Sequence, residues 1–168
     1  LLSVRNAGSA VVSVSANGDV QANGTYYGAG ANVGVPGQPG DLAERVDVRP
    51  DQSVEPGDVM IVDPEDADTY MKSTGAYASA VAGVVSTKPT ITVGNGRTAH
   101  TALLALIGRV PVKISNENGP VERGDLLVAA TLPGHAMKYD PLKDDGSTVV
   151  GIIGLALDSF EGEEETGK

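Results

Sequence analysis

The chain has no cysteine, no tryptophan and a single phenylalanine, Phe160. Without cysteine there can be no disulfide, no thiolate nucleophile and no cysteine-ligated zinc. The compartment stays open, because a cysteine-free chain suits a virion, the outside of a cell or the cytosol. Without large aromatics, any core must be assembled from Val, Ile, Leu and Ala. A chain of 168 residues can still bury a real core, as one substantial domain or two small ones. Positive charge is also scarce: 12 Lys and Arg stand against 22 Asp and Glu, a formal net charge of -10. An acidic surface repels phosphate, so nucleic acid and anionic membrane surfaces are poor partners. No apolar run nears the ~20 residues of a membrane helix, so membrane insertion is not expected, and no secretion signal is visible. Leu rather than Met at residue 1 reads as a fragment or a processed product.

What the chain does have is glycine, 22 residues, and proline, 10 residues, scattered between apolar runs. That spacing marks tight turns rather than disorder. The stretch Ser9-Ala-Val-Val-Ser-Val-Ser-Ala-Asn-Gly-Asp-Val-Gln-Ala-Asn-Gly-Thr-Tyr-Tyr-Gly28 is small and β-branched. Asn17-Gly18 within it is a two-residue hairpin signal, since both residue types tolerate positive φ. This arm has too few large apolar groups to stand alone and needs neighbours. Residues 31–40 are rich in Gly and Pro and read as a linker. From Asp41 on, short apolar runs alternate with turns. Strands are predicted at residues 45–48, 58–62, 80–86, 90–93, 105–114, 125–129, 136–139 and 149–157, with helix candidates at 43–46 and 99–106. The expected fold is mostly β: an extended β-arm or shaft end over residues 1–40, then a β-sandwich or barrel-like head over 41–168. Residues 159–168 form an acidic, solvated tail.

The head carries an internal repeat. Val54-Glu-Pro-Gly-Asp-Val-Met-Ile-Val62 aligns with Val121-Glu-Arg-Gly-Asp-Leu-Leu-Val-Ala129. Met71-Lys72 aligns with Met137-Lys138, and Val81-Ala-Gly-Val-Val85 with Val149-Val-Gly-Ile-Ile153. The units are expected over residues ~50–88 and ~117–157, joined by 90–114. In each, Val-Glu-x-Gly-Asp is a turn that launches an apolar strand. Gly57 and Gly124 supply positive φ, and Asp58 and Asp125 bond nearby backbone amides. Glu55 and Glu122 face solvent. An acid-base reading of Glu55/Asp58 and Glu122/Asp125 has no partner base in either copy.

Catalytic and metal patterns are thin. His100 precedes an apolar run and His135 sits in a Pro-Gly-His turn; neither has metal-ligand spacing. Gly94-Asn-Gly96 lacks the Gly-Lys-Ser/Thr of a phosphate loop. Asp63-Pro-Glu-Asp-Ala-Asp68 lacks the Gly and Glu of a twelve-residue calcium loop. No cofactor and no metal are expected. Tyr26, Tyr27, Tyr70, Tyr77 and Tyr139 are scattered and read as packing residues.

Three pieces resemble a known family. The arm Gly18-Asp-Val-Gln-Ala-Asn-Gly-Thr-Tyr-Tyr-Gly28 resembles the end of a trimeric phage tail-fibre shaft. Gly40-Asp-Leu-Ala-Glu44 with Val81-Ala-Gly-Val-Val-Ser-Thr87 forms the second piece. Ile107-Gly-Arg-Val-Pro-Val-Lys-Ile114 with Asn118-Gly-Pro-Val-Glu-Arg-Gly-Asp-Leu-Leu127 and Gly134-His-Ala-Met-Lys138 forms the third. Together they resemble the C-terminal head domain of trimeric phage tail-fibre and tail-spike-like proteins. The resemblance implies a homotrimer joined to an upstream shaft, in a virion or at a cell surface. It implies a structural role in trimer assembly, tip formation or attachment to a cell-surface receptor. Related domains on neck-appendage spikes are autoproteolytic chaperones, and there Asp41 and Glu44 would be the acids. A capsid-decorating trimeric β-protein is the remaining alternative.

Overall fold

A computed structural model describes residues 2–7, 9–14, 16, 20–22, 40–144, 146 and 149–162. The chain divides into two compact units, Leu1–Val33 and Gly34–Lys168. In the first, β1 (Leu2–Asn6), β2 (Ser9–Val14) and β3 (Val20–Ala22) form an antiparallel sheet in chain order. Strands β2 and β3 run antiparallel with Val14 opposite Val20. Asn17 and Gly18, the expected turn, lie outside the described residues, as do residues 31–39 of the expected linker.

In the second unit every regular element among the described residues is a strand. These are β4 (Asp41–Val48), β5 (Val59–Val62), β6 (Thr69–Lys72), β7 (Val81–Val85), β8 (Ile91–Val93), β9 (Thr101–Gly108), β10 (Leu126–Ala129), β11 (Ala136–Lys138) and β12 (Ile152–Leu155). Five of them, in the order β6-β5-β7-β9-β4, close into a barrel. Closure is a parallel pairing of β4 with β6 at Asp47↔Thr69 and Val48↔Tyr70. A closed barrel leaves its member strands no free edge. The lumen is filled by Val46, Val48, Met60, Val85, Ala102 and Leu104, all buried. Aliphatic side chains and an adaptable methionine suffice for so narrow a barrel, which is how the chain manages without large aromatics.

Both helix candidates are strands. Residues 43–46 belong to β4 and 99–106 run into β9. A short apolar run such as Ala-Leu-Leu-Ala-Leu-Ile carries no period that separates helix from strand. Here pairing with β4 on one side and β7 on the other decides it. The strand expected over 105–114 also ends early, at Gly108. Gly108 has φ 133°, and a Cβ there would lie 2.5 Å from Asp41 Cα. Residues 109–113 then run without strand pairing to a bridge between Ile114 and Ala136. Pro111 could donate no ladder hydrogen bond in any case.

The segment leads to a three-stranded sheet, β11-β10-β12. One face of that sheet packs on the outside of the barrel. Leu127, Ala129, Ala136 and Ala156 meet Val59 and Val84 there, with Ile114 and Val121 between. The other face holds Val128 and Met137 beneath Tyr77 and Tyr139, whose rings meet edge to face at 6.0 Å. The head is therefore a closed barrel with an added sheet.

The repeat is physical. β5 pairs with β6 and β7, and β10 pairs with β11 and β12, in the same antiparallel arrangement. Asp58 Oδ2 accepts the Glu55 N–H at 2.8 Å, and Asp125 Oδ2 accepts the Glu122 N–H at 2.8 Å. Gly57 (φ 90°) donates to Val85 O, and Gly124 (φ 96°) donates to Ala156 O. Lys72 reaches Asp58 at 3.0 Å, and Lys138 reaches Asp125 at 2.9 Å. The third landmark is shifted, however. Val59↔Val84 and Met60↔Gly83 correspond to Leu126↔Leu155 and Leu127↔Gly154. The counterpart of Gly83 is thus Gly154, not Gly151, and the counterpart of β7 is β12. The connection before β12 is longer than that before β7, so residue spacing alone misplaces the match.

The two copies differ at their acids. Asp58 is fully buried and Lys113 Nζ adds a second contact at 2.6 Å. Lys113 also reaches exposed Glu55 at 2.9 Å. Burial alone would lower the Lys113 pKa, but the hydrogen bonds it donates to Asp58 and Glu55 outweigh it and raise it. The Lys113 bond also pulls Glu55 below the usual carboxylate range. Gly134 abuts the same carboxylate, where a Cβ would lie 2.9 Å from Asp58 Oδ1. Removing Asp58 leaves Lys72 and Lys113 facing each other over an apolar gap. Asp58→Ala is expected to cost about 3 kcal/mol, the low end for opening a buried pair because both lysines keep partial exposure. Asp125→Ala, one lysine short, is expected to cost less, both changes being read from urea unfolding curves. Leu104→Ala leaves a cavity in the barrel lumen and is expected to cost about 2–5 kcal/mol.

Candidate interaction site at the barrel rim

β4 is longer than the barrel it helps to close. Its C-terminal end meets β6, but its N-terminal half meets β8 instead, with Leu42↔Ile91, Ala43↔Thr92 and Glu44↔Val93. On the other side β9 continues alongside, with Leu42↔Ile107 and Glu44↔Leu104. β8-β4-β9 therefore projects past the closed part as a three-stranded flap. Directly opposed residues share a face, and residues two apart along a strand share it too. Leu42, Glu44, Ile91, Val93 and Ile107 thus continue the lumen face of Val46 and Leu104, beyond the region where the opposite wall covers it. Ile107 is 72 % exposed, and Leu106, the extra residue of a bulge in β9, is 50 % exposed. All of β8 is exposed. Aliphatic side chains cost free energy when left in water, and a contiguous set of them marks a contact surface.

The flap is held by Asp47. Its carboxylate is buried and accepts the backbone N–H groups of Arg97 (2.9 Å) and Thr98 (2.9 Å), with the Thr98 hydroxyl at 3.0 Å. Arg97 Nε adds an ion pair at 3.0 Å, and Arg97 continues to Asp68 at 2.8 Å. These contacts fasten the connection between β8 and β9 to the barrel wall. Gly96 (φ 61°) lets the connection lie close, since a Cβ there would meet Thr101 Cγ2 at 2.5 Å. Burial pushes the Asp47 carboxyl up, but the amide and side-chain donors of Arg97 and Thr98 win and hold it at about 2.

The remaining acids and histidines do not converge. Asp41 and Glu44 sit three residues apart on β4, which puts them on opposite faces. Asp41 is buried and its Oδ2 has no hydrogen-bond partner among the described residues. Glu55/Asp58 and Glu122/Asp125 are bound into their turns as described above. His100 is exposed, and His135 Nδ1 donates to Pro133 O at 2.9 Å, within its own turn. In the acidic loop, Asp63 is taken by Arg49 at 2.7 Å and by the Glu65 N–H at 2.9 Å. Arg49 and this N–H together hold Asp63 below the usual range. Asp68 is taken by Arg97. Among the described residues no group of three or more His, Asp or Glu is placed to hold a metal ion.

Several key residues carry no sequence signal as such. Lys113 and Arg97 meet their acids 55 and 50 residues away. Glu117 braces the turn before β11, accepting from Ser115 Oγ, Thr131 N and Leu132 N, each at 3.0 Å. The flap itself was hidden because β8, β4 and β9 are separated in sequence.

Asp47 makes the fold acid-sensitive. Its folded-state value of about 2 lies below the ordinary aspartate value of about 3.9. The folded chain binds fewer protons, so this stabilisation is complete above about pH 4 and is lost as pH falls through about 2. Asp47→Asn is expected to lower Tm at neutral pH and to flatten the acid limb of a Tm-against-pH curve. An unchanged acid limb would dissociate the effect from Asp47.

No protein-family model, no curated protein and no solved structure matches this chain.

Proposed function

We propose that the chain is a structural module of a virion or extracellular fibre, acting as a homotrimer in assembly, tip formation or attachment. One observation carries the reading: the aliphatic face of the β8-β4-β9 flap is exposed beside Gly40, where the head continues from residues 1–39. A neighbouring copy or an upstream shaft segment meeting the flap would bury Ile107, Leu106, Ile91 and Val93. The few large apolar groups of the arm favour the same arrangement, because three arms together can bury what one cannot. The net charge of -10 keeps such an assembly soluble and away from phosphate.

Self-cleavage at the junction is the weaker alternative, since Asp41 and Glu44 on opposite faces of β4 cannot share a proton. A capsid-decorating role would use the same flap but a different arm partner. Mass photometry at micromolar concentration tests the main reading. A trimer is expected, and Ile107→Glu is expected to shift it to monomer without loss of β-sheet circular dichroism. A stable wild-type monomer overturns it. Incubation of a chain extended upstream, alone and as the Asp41→Asn, Glu44→Gln double variant, tests self-cleavage. Release of a fragment by the first and not the second would favour that alternative.

A further inference from the structure

The connection between β8 and β9 carries a dipeptide that the fold leaves chemically open. Asn95 is exposed and stands between two glycines in the left-handed region, Gly94 (φ 72°) and Gly96 (φ 61°). A Cβ on Gly94 would lie 3.2 Å from Arg45 O, and one on Gly96 would lie 2.5 Å from Thr101 Cγ2. The close lie of the connection on β4 and β9 thus fixes a glycine on each side of Asn95. Among the described residues no hydrogen bond engages the Asn95 side-chain amide or the Gly96 N–H. The bonds that fasten the connection begin one residue later, at the Arg97 and Thr98 N–H groups.

Asn118-Gly119 is the same dipeptide in a different state. Asn118 Nδ2 donates to the Tyr77 hydroxyl at 2.8 Å and to Lys138 O at 2.9 Å, and its Oδ1 accepts from Lys143 Nζ at 2.9 Å. The Gly119 N–H donates to Asn116 O at 2.8 Å. Both groups that would have to react are occupied there, and Asn118 is half-buried.

A backbone nitrogen and the side-chain carbonyl carbon of the residue before it can close a five-membered ring, and a glycine presents that nitrogen with no side chain in the way. We propose that Asn95 is a site of spontaneous deamidation in the folded protein. The Gly96 nitrogen gives up its proton to solvent base and attacks Asn95 Cγ. The C–N bond to Nδ2 breaks, Nδ2 takes up a proton and leaves as ammonia, and a cyclic imide remains. Water then opens the imide at either carbonyl, leaving aspartate or isoaspartate at residue 95. One water enters and one ammonia departs, and nothing is oxidised or reduced.

The place of the site gives the modification a consequence. Isoaspartate carries the main chain through Cγ and lengthens it by one methylene just before Arg97. Both products add a carboxylate to a connection that already lies against acids. The Cβ position of Gly94 is 3.2 Å from Glu44 Cγ, and that of Gly96 is 3.4 Å from Asp47 Oδ1. Both effects act on the bonds by which Arg97 and Thr98 hold Asp47, so the flap loosens as the protein ages. The inference concerns the covalent chemistry of the flap and does not rest on the trimer.

The full chain is incubated in mildly alkaline buffer, native and in urea, and followed by peptide mapping with mass spectrometry. Mapping separates Asn95 and Asn118 from Asn17 and Asn23, the other asparagines that precede glycine. In the native chain Asn95 is expected to convert at least about 10-fold faster than Asn118, the factor that one net hydrogen bond is worth. In urea the two are expected to convert at comparable rates. Equal rates in the native chain overturn the proposal, as does an Asn95 that stays intact in the native chain under conditions that convert it in urea. The consequence is read separately. Aged wild type is expected to fall in Tm relative to fresh protein, and aged Asn95→Gln, whose longer side chain would have to close a slower six-membered ring, is expected to fall less. An equal fall in both overturns the link to Asp47.

Discussion

A single buried carboxylate joins the parts of the head. Asp58 has no exposed surface, so it must be neutralised and hydrogen-bonded where it stands. Lys72 comes from the end of β6, Lys113 from the segment that leaves β9, and the Glu55 N–H from the preceding turn. The backbone repeats the message. Gly57 O accepts from the Lys113 N–H, Val59 N–H donates to Gly134 O, and Gly134 N–H donates to Ser73 O. The start of β5, the end of β6, the crossing segment and the turn before β11 are thus one polar junction. The aliphatic contacts of Val59, Ile114 and Ala136 gather around it. Hydrophobic contacts supply the bulk of burial but little direction. The Asp58 junction supplies the direction, and fixes the sheet to one place on the barrel.

The duplicated turn shows how one local solution serves two settings. Val-Glu-x-Gly-Asp folds on its own terms in both copies, through the same glycine φ and the same Asx-type bond. Its consequences then diverge with the surroundings. In the first copy the turn is covered by the crossing segment, so its acid is buried and needs two cations. In the second it remains at the surface, with Lys138 alone. The same contrast runs through the strands, with the first copy built into a closed barrel and the second left as an open sheet.

Much of this fold could be read from sequence where the signal was local. The β character, the turns at Gly57 and Gly124, the capping by Asp58 and Asp125, and the first two landmarks of the repeat follow from residue chemistry within a few positions. Barrel closure did not, because it rests on two parallel pairs between β4 and β6. The assignment of 99–106 failed because Ala102 to Ile107 are all apolar, and so uniform a run carries no period that tells strand from helix. The match of Gly83 to Gly151 failed because insertions between strands break constant spacing while pairing does not. The flap was invisible for a related reason. Ile91 and Ile107 become neighbours of Leu42 only through long-range pairing, and solvent exposure of an aliphatic residue cannot be read from its identity.

The span between Asp58 and Lys113 has a consequence for the order in which the head can be made. A chain synthesised from its N-terminus completes β4 through β7 well before β9 emerges. Until then β4 and β7 both lack the strand that lies between them, and Asp58 lacks its second cation. The β4–β6 and β6-β5-β7 pairings then describe an open four-stranded sheet with β4 and β7 as its edges. Closure of the barrel therefore waits for residues 101–108, with β9 as the closing stave.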